Sequence, residues 1–146
     1  MTILLVDDDD GIIKVWQSQL NPLGATLLVA HTLEQAFEQM SRIPPPDLVL
    51  LDLVLPPHTA KDTAAAVETL RQFNPELVVV AISGMAHDDI VRAVAGAKVE
   101  EVISKQDANT QEALLRVIQS AWSKAGMKSA ELLDLINKFI TERTPQ

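Results

Sequence analysis

Cysteine is absent from this 146-residue chain, and so is tyrosine. Without cysteine there is neither a disulfide framework nor a thiolate-ligated metal. Positive charge is scarce too: 12 Lys and Arg stand against 20 Asp and Glu, a net charge of −8. Binding a polyanion rests on Lys and Arg neutralising phosphates, so this balance argues against direct contact with nucleic acid or an anionic membrane surface. No apolar run approaches the length that spans a bilayer. The first residues enter a strand-like run directly, without the basic and then apolar stretch of a signal peptide, and the expectation is a cytoplasmic protein. A G-x-G-x-x-G fingerprint and a Gly, Ser or Thr-rich phosphate loop after the first strand are also missing, which disfavours a flavin or nucleotide binder.

What is present is an ordinary apolar fraction of 47% in a chain long enough for one sizeable core. Short apolar runs predict strands over 3–6, 25–30, 48–51, 77–82 and 99–103, each followed by helical periodicity. The first helix carries Ile12, Ile13, Trp16 and Leu20 and ends near Asn21-Pro22. Thr32 and Gln35 form a capping-box signature for a helix with Leu33, Ala36, Phe37 and Met40, which stops before the stiff Pro44-Pro45-Pro46 connector. A third helix turns Ala64, Val67 and Leu70 inward and closes at Asn74-Pro75. Asp88 is the expected cap of a short helix through Ile90, Val91 and Val94, with Gly96 beyond its end. A last helix over 109–124 aligns Leu114, Leu115, Ile118 and Trp122. Strict alternation predicts a three-layer α/β fold: a doubly wound, parallel, five-stranded sheet with right-handed crossovers.

Four of the strand runs end in residues able to do chemistry: ILLV before Asp7 and Asp8, LVLL before Asp52, VVVAI before Ser83, and VIS before Lys105. In an open parallel sheet ligands bind just beyond the strands' carboxyl ends, so three carboxylates, a hydroxyl and an ammonium are expected at one edge. Carboxylates a few Å apart repel, and at least one pKa rises unless a cation intervenes. Mg²⁺ suits such a place, since it takes oxygen ligands and is commonly held by one or two carboxylates plus phosphate oxygens. A carboxylate beside it can attack an activated phosphoryl group, which makes Asp52 the candidate nucleophile. Asp9 and Asp10 read instead as the acidic start of a helix. An aspartate like Asp52 is more often a turn residue, but its place directly after LVLL and four residues before Pro56 favours the nucleophile; Ser83 alone reads equally as a turn residue and Lys105 as a surface lysine, and both gain from sharing an edge with the aspartates. His31, His58 and His87 are scattered over different loops and read as surface residues, Trp16 as core, and Trp122 as core or an interface anchor.

Together, VDD at 6–8, DLVLLDLVLP at 47–56, ISG at 82–84 and Lys105 resemble the receiver domain of two-component response regulators over about residues 1–124. The resemblance implies a flavodoxin-like strand order 2-1-3-4-5 and a phosphoacceptor at Asp52. It implies Mg²⁺ held directly by Asp8 and Asp52, through water by Asp7, and by the backbone carbonyl of Val54. Ser83 then bonds a phosphoryl oxygen and Lys105 pairs with the phosphate. The implied donor is a phosphohistidine on a sensor histidine kinase or phosphotransfer protein, and the phosphorylated surface is read by a downstream output protein or domain. Such a chain is a signalling phosphoacceptor rather than an enzyme; it catalyses only its own phosphotransfer and slow autodephosphorylation.

Three features depart from that pattern. Gln106 follows the lysine where proline is usual, Val102 stands where the family carries Tyr or Phe, and the stretch from Gly96 to Lys105 is about two residues longer. The first two favour, as an alternative, a pseudo-receiver that works as a phosphorylation-independent interaction module, which the retained acidic pair, Asp52, Ser83 and Lys105 oppose. Against a haloacid-dehalogenase-like phosphohydrolase, Val54 occupies the position of the second aspartate. Residues 125–146 form a separate extension, in which Leu132, Leu135, Ile136, Phe139 and Ile140 predict an amphipathic helix. That helix folds back on its own domain, docks on a partner, or joins a homodimer, to which the last receiver helices are a second route.

Overall fold

The computed structural model describes residues 1–105 together with Arg116, Ile118 and Gln119, the last three in helical conformation. The expected last helix lies outside the described residues apart from those three, and so do Gln106, Trp122 and the C-terminal extension. Among the described residues, nine elements and a short turn alternate as the sequence predicts: β1 (Thr2–Val6), α1 (Asp10–Leu20), a 3-10 turn (Asn21–Leu23), β2 (Thr26–Ala30), α2 (Leu33–Met40), β3 (Leu48–Asp52), α3 (Ala60–Phe73), β4 (Val78–Ser83), α4 (His87–Ala93) and β5 (Glu101–Ser104). All strand pairs are parallel, in the order β2-β1-β3-β4-β5.

Every residue of β3 and β4 is buried, as expected of strands covered by helices on both faces. The period of two sorts their side chains. Ile3, Leu5, Leu48, Leu50, Val78, Val80 and Ile82 pack with Ile13, Trp16 and Leu20 of α1 and with Ile118. Leu4, Val6, Val49, Leu51 and Val79 pack with Ala36 and Met40 of α2 and Val67 and Leu70 of α3. A smaller cluster joins Leu53, Ala64, Ala81, Ile90 and Val94 beneath α4. Burying each Leu or Val contributes about 1.5–3 kcal/mol, so the central strands form a stiff platform for whatever stands at their ends.

Local signals at the helix starts are mostly as read. Asp9 caps α1 by accepting from Gly11 N–H at 2.8 Å and Ile12 N–H at 3.4 Å, with Asp10 in the first turn. Thr32 Oγ1 accepts from Gln35 N–H at 3.1 Å, and Gln35 Oε1 reaches back to His31 N–H at 2.7 Å, one residue earlier than in a standard capping box. Two expectations are corrected. Ala86, in extended conformation, precedes the first turn of α4 and supplies no side-chain cap; Asp88 already lies inside that turn, where its charge meets the positive end of the dipole. The fifth strand begins at Glu101 rather than residue 99. At Glu100 the carboxylate, not a backbone carbonyl, accepts the Val79 N–H at 2.6 Å, so regular pairing starts only at Glu101 opposite Val80.

Candidate functional site

Each site residue stands where a strand gives out. Asp7 follows β1, and its N–H still donates to Ala30 O of β2 at 3.0 Å, which extends the ladder by one residue. Asp52 is the last residue of β3, paired in register with Ile82 of β4. Ser83 ends β4 opposite Ser104, and Lys105 leaves β5 with its N–H on Ser83 O at 2.7 Å. The ladders therefore fix the backbone of all four, and the site is as rigid as the sheet.

Asp7 and Asp52 are 4% and 5% exposed, whereas Asp8 is open to solvent. One ligand oxygen from each of the three lies within 4.8 Å of the others. Among the described residues this is the one cluster of three or more acidic or imidazole groups so arranged. From β5, the Lys105 ammonium reaches across β4 and donates to Asp7 Oδ2 at 3.0 Å and Asp52 Oδ2 at 3.3 Å. The remaining oxygens are also engaged: Asp9 N–H donates to Asp7 Oδ1 and Val54 N–H to Asp52 Oδ1, both at 2.9 Å.

Burial pushes the Asp52 carboxyl up to about 6, with the Asp7 carboxylate adding to the rise; the Val54 N–H and the Lys105 ammonium oppose it without cancelling it. For Lys105, burial acts to lower the pKa, but the Asp52 and Asp7 carboxylates outweigh it and hold the ammonium above its ordinary value. One ammonium is thus shared by the two buried carboxylates, and Asp52 is the one whose pKa rises. The residues fit a hard divalent cation: oxygen donors only, close together, partly buried, and short of positive charge.

The structure brings Asp7, Asp8, Asp52 and Lys105 together, with Ser83 closing the adjacent strand. Val54 is half exposed beside Asp52. Two imidazoles pair elsewhere: His31 Nε2 lies 2.7 Å from Asp10 Oδ1, and His58 Nε2 is 3.7 Å from Glu34 Oε1. Trp16 packs in the core as read. Sequence reasoning missed Ser104, whose hydroxyl donates to Met85 O at 2.8 Å. A serine inside a strand run carries no signal of its own.

No helix among the described residues is long and apolar enough to cross a membrane. Against known proteins, a model of the response regulator receiver domain matches residues 3–119. Over 91 residues, 62% of this chain, the sequence is 34% identical to the luminescence regulatory protein LuxO of Vibrio campbellii. That stretch is 18% of LuxO, so the chain spans under a fifth of that relative's length. The signal receiver domain of an HD domain-containing protein from Pseudomonas fluorescens superposes with a TM-score of 0.70 at 26% identity, over 86% of this chain and 89% of that one. A response regulator receiver domain protein from Methanospirillum hungatei gives the same TM-score at 20% identity, over 86% and 96% of the two chains, and shows the fold alone. A family match across most of the chain, on a sheet ordered as that family's is, means that this chain belongs to the response regulator receiver domains.

Proposed function

We propose that this receiver domain is switched by phosphorylation of Asp52. The observation that carries the reading is the single ammonium of Lys105 shared between Asp7 and Asp52 at the carboxyl end of the sheet. In the proposed step an Asp52 carboxylate oxygen attacks the phosphorus of a phosphohistidine. An O–P bond forms, the N–P bond breaks, and the leaving imidazole nitrogen takes up a proton. Ser83 donates to a phosphoryl oxygen, and Lys105 pairs with the charge that the phosphoryl group brings. Asp7, Asp8 and Asp52, with the Val54 carbonyl, would hold Mg²⁺, which when bound neutralises phosphoryl oxygens and relieves repulsion among the carboxylates.

The added charge at Asp52 biases the loops at this edge between two arrangements, and the altered surface is what an output protein or domain reads. A sensor histidine kinase or phosphotransfer protein is the matching donor, in the cytoplasm. On this reading the chain catalyses nothing beyond its own phosphorylation and dephosphorylation.

Intact-protein mass after incubation with acetyl phosphate tests the reading. The expected result is one added phosphoryl group with Mg²⁺ present, and none in Asp52→Asn or with the metal chelated. Absence of any gain, from acetyl phosphate and from histidine-phosphorylated donors alike, would favour the pseudo-receiver.

A further inference from the structure

Hydroxyls hold the loop from Ser83 into α4 from both sides. Met85 donates its N–H to Ser83 Oγ at 3.1 Å, while its carbonyl accepts the Ser104 hydroxyl at 2.8 Å. Ser83 and Ser104 face each other in register across β4 and β5 and are 0% and 1% exposed, so both hydroxyls are withdrawn from bulk water. One residue thus has both of its backbone groups fixed by serines from neighbouring strands.

A hydroxyl carries one proton and two acceptor lone pairs. The Met85 N–H occupies an acceptor position on Ser83, which leaves the Ser83 proton to be given elsewhere. Ser104 has committed its own proton to the Met85 carbonyl and cannot compete for that role. We infer that Ser104 is a positioning residue for phosphoryl transfer: by anchoring the Met85 carbonyl it keeps the Met85 N–H on Ser83 Oγ, and so presents the Ser83 hydroxyl as donor to an incoming phosphoryl oxygen. The inference rests on the proposed phosphoacceptor role of Asp52. It assigns Ser104 no contact with the reacting atoms, and its effect on the rate passes through Ser83.

A double-mutant cycle on the full chain tests this, with the initial rate of phosphoryl gain from acetyl phosphate and Mg²⁺ as readout. Ser104→Ala is expected to slow the wild type about three- to tenfold, the worth of one neutral hydrogen bond, and to add nothing in a Ser83→Ala background. A purely structural Ser104 would lower thermal stability without this non-additivity. An unchanged rate in Ser104→Ala, or an equal loss in both backgrounds, overturns the inference. Amide exchange in the wild type is a second measurement that needs no variant: the Met85 N–H should exchange slowly, and exchange at the rate of an open loop overturns the clamp. If the wild type itself gains no phosphoryl group, the Asp52 reading has failed and the inference falls with it, whereas a phosphorylated wild type with an indifferent Ser104→Ala removes the inference alone.

Discussion

Asp52 sits in a place that suits its neutral form, held near pKa 6 mainly by burial, against about 3.8 when unfolded. Below 3.8 the group is protonated in both states and its contribution to stability is complete. Between the two values the folded chain keeps a proton that the unfolded chain releases, so stability falls as pH rises. Above about 6 the loss levels off at something on the order of 3 kcal/mol, one pKa unit being worth about 1.4. The Lys105 shift is upward from 10.5, so its contribution is constant through this window. In metal-free protein, urea unfolding of wild type and Asp52→Asn from pH 4 to 7 should therefore diverge, with the variant increasingly the more stable. A gap that stays constant or narrows as pH rises contradicts the burial argument. A second expectation concerns Val54, half exposed beside Asp52, and Met85, partly buried beside Ser83. Neither side chain can orient or polarise a water molecule, so an aspartyl phosphate here should decay slowly. Val54→Glu with Met85→Gln should shorten its half-life several-fold, followed by intact mass over time; decay that is unchanged or slower counts against this.

Among the strands, β5 is the one whose start the sequence misplaces furthest, by two residues, and the reason is a side chain. Arg71, in the last turn of α3, donates through Nη1 to Leu77 O at 2.8 Å and through Nη2 to Glu100 Oε2 at 2.9 Å and to the Lys98 carbonyl. Glu100 in turn accepts the Val79 N–H that a strand residue's carbonyl would take. This tie lies partly buried between α3 and the edge strand. Removing the guanidinium leaves a carboxylate and two carbonyls to re-solvate, so Arg71→Ala should cost about 1–3 kcal/mol. It should also speed amide exchange at Val102 and Ile103, read by hydrogen–deuterium exchange, while the β1–β3 pair is unaffected. Uniform exchange across the sheet would show that the tie does not govern β5. Helix starts with a hydroxyl or carboxylate cap were legible at Asp9 and Thr32 because the signal is local. Thr59, which caps α3 by accepting the Asp62 N–H at 3.1 Å, passed unread behind the Pro56-Pro57 loop. At α4 an acidic residue in the first turn mimicked a cap that Ala86 does not supply.

At the scale of the whole molecule, the layers were legible because runs such as LVLL and VVVAI are apolar throughout, which only a strand covered on both faces requires. Strand order was not: the same alternation fits more than one permutation, and 2-1-3-4-5 came from family resemblance until the pairing of β1 with both β2 and β3, and of β4 with β3 and β5, established it. The site was legible as a set of strand-end residues and illegible as a network. Lys105 and Asp7 are 98 positions apart, and no local pattern announces that an ammonium from the edge strand crosses β4 to reach them both. That network makes a claim about one atom group, that the Asp52 carboxylate takes the phosphoryl group while Asp7 and Asp8 do not. Borohydride reduction of the phosphorylated chain, followed by peptide sequencing, reads the phosphorylated position directly, because the reductant converts an aspartyl phosphate to homoserine. Homoserine is expected at position 52 alone; homoserine at 7 or 8, or at no aspartate of a chain that has gained a phosphoryl group, would show that another side chain accepts it.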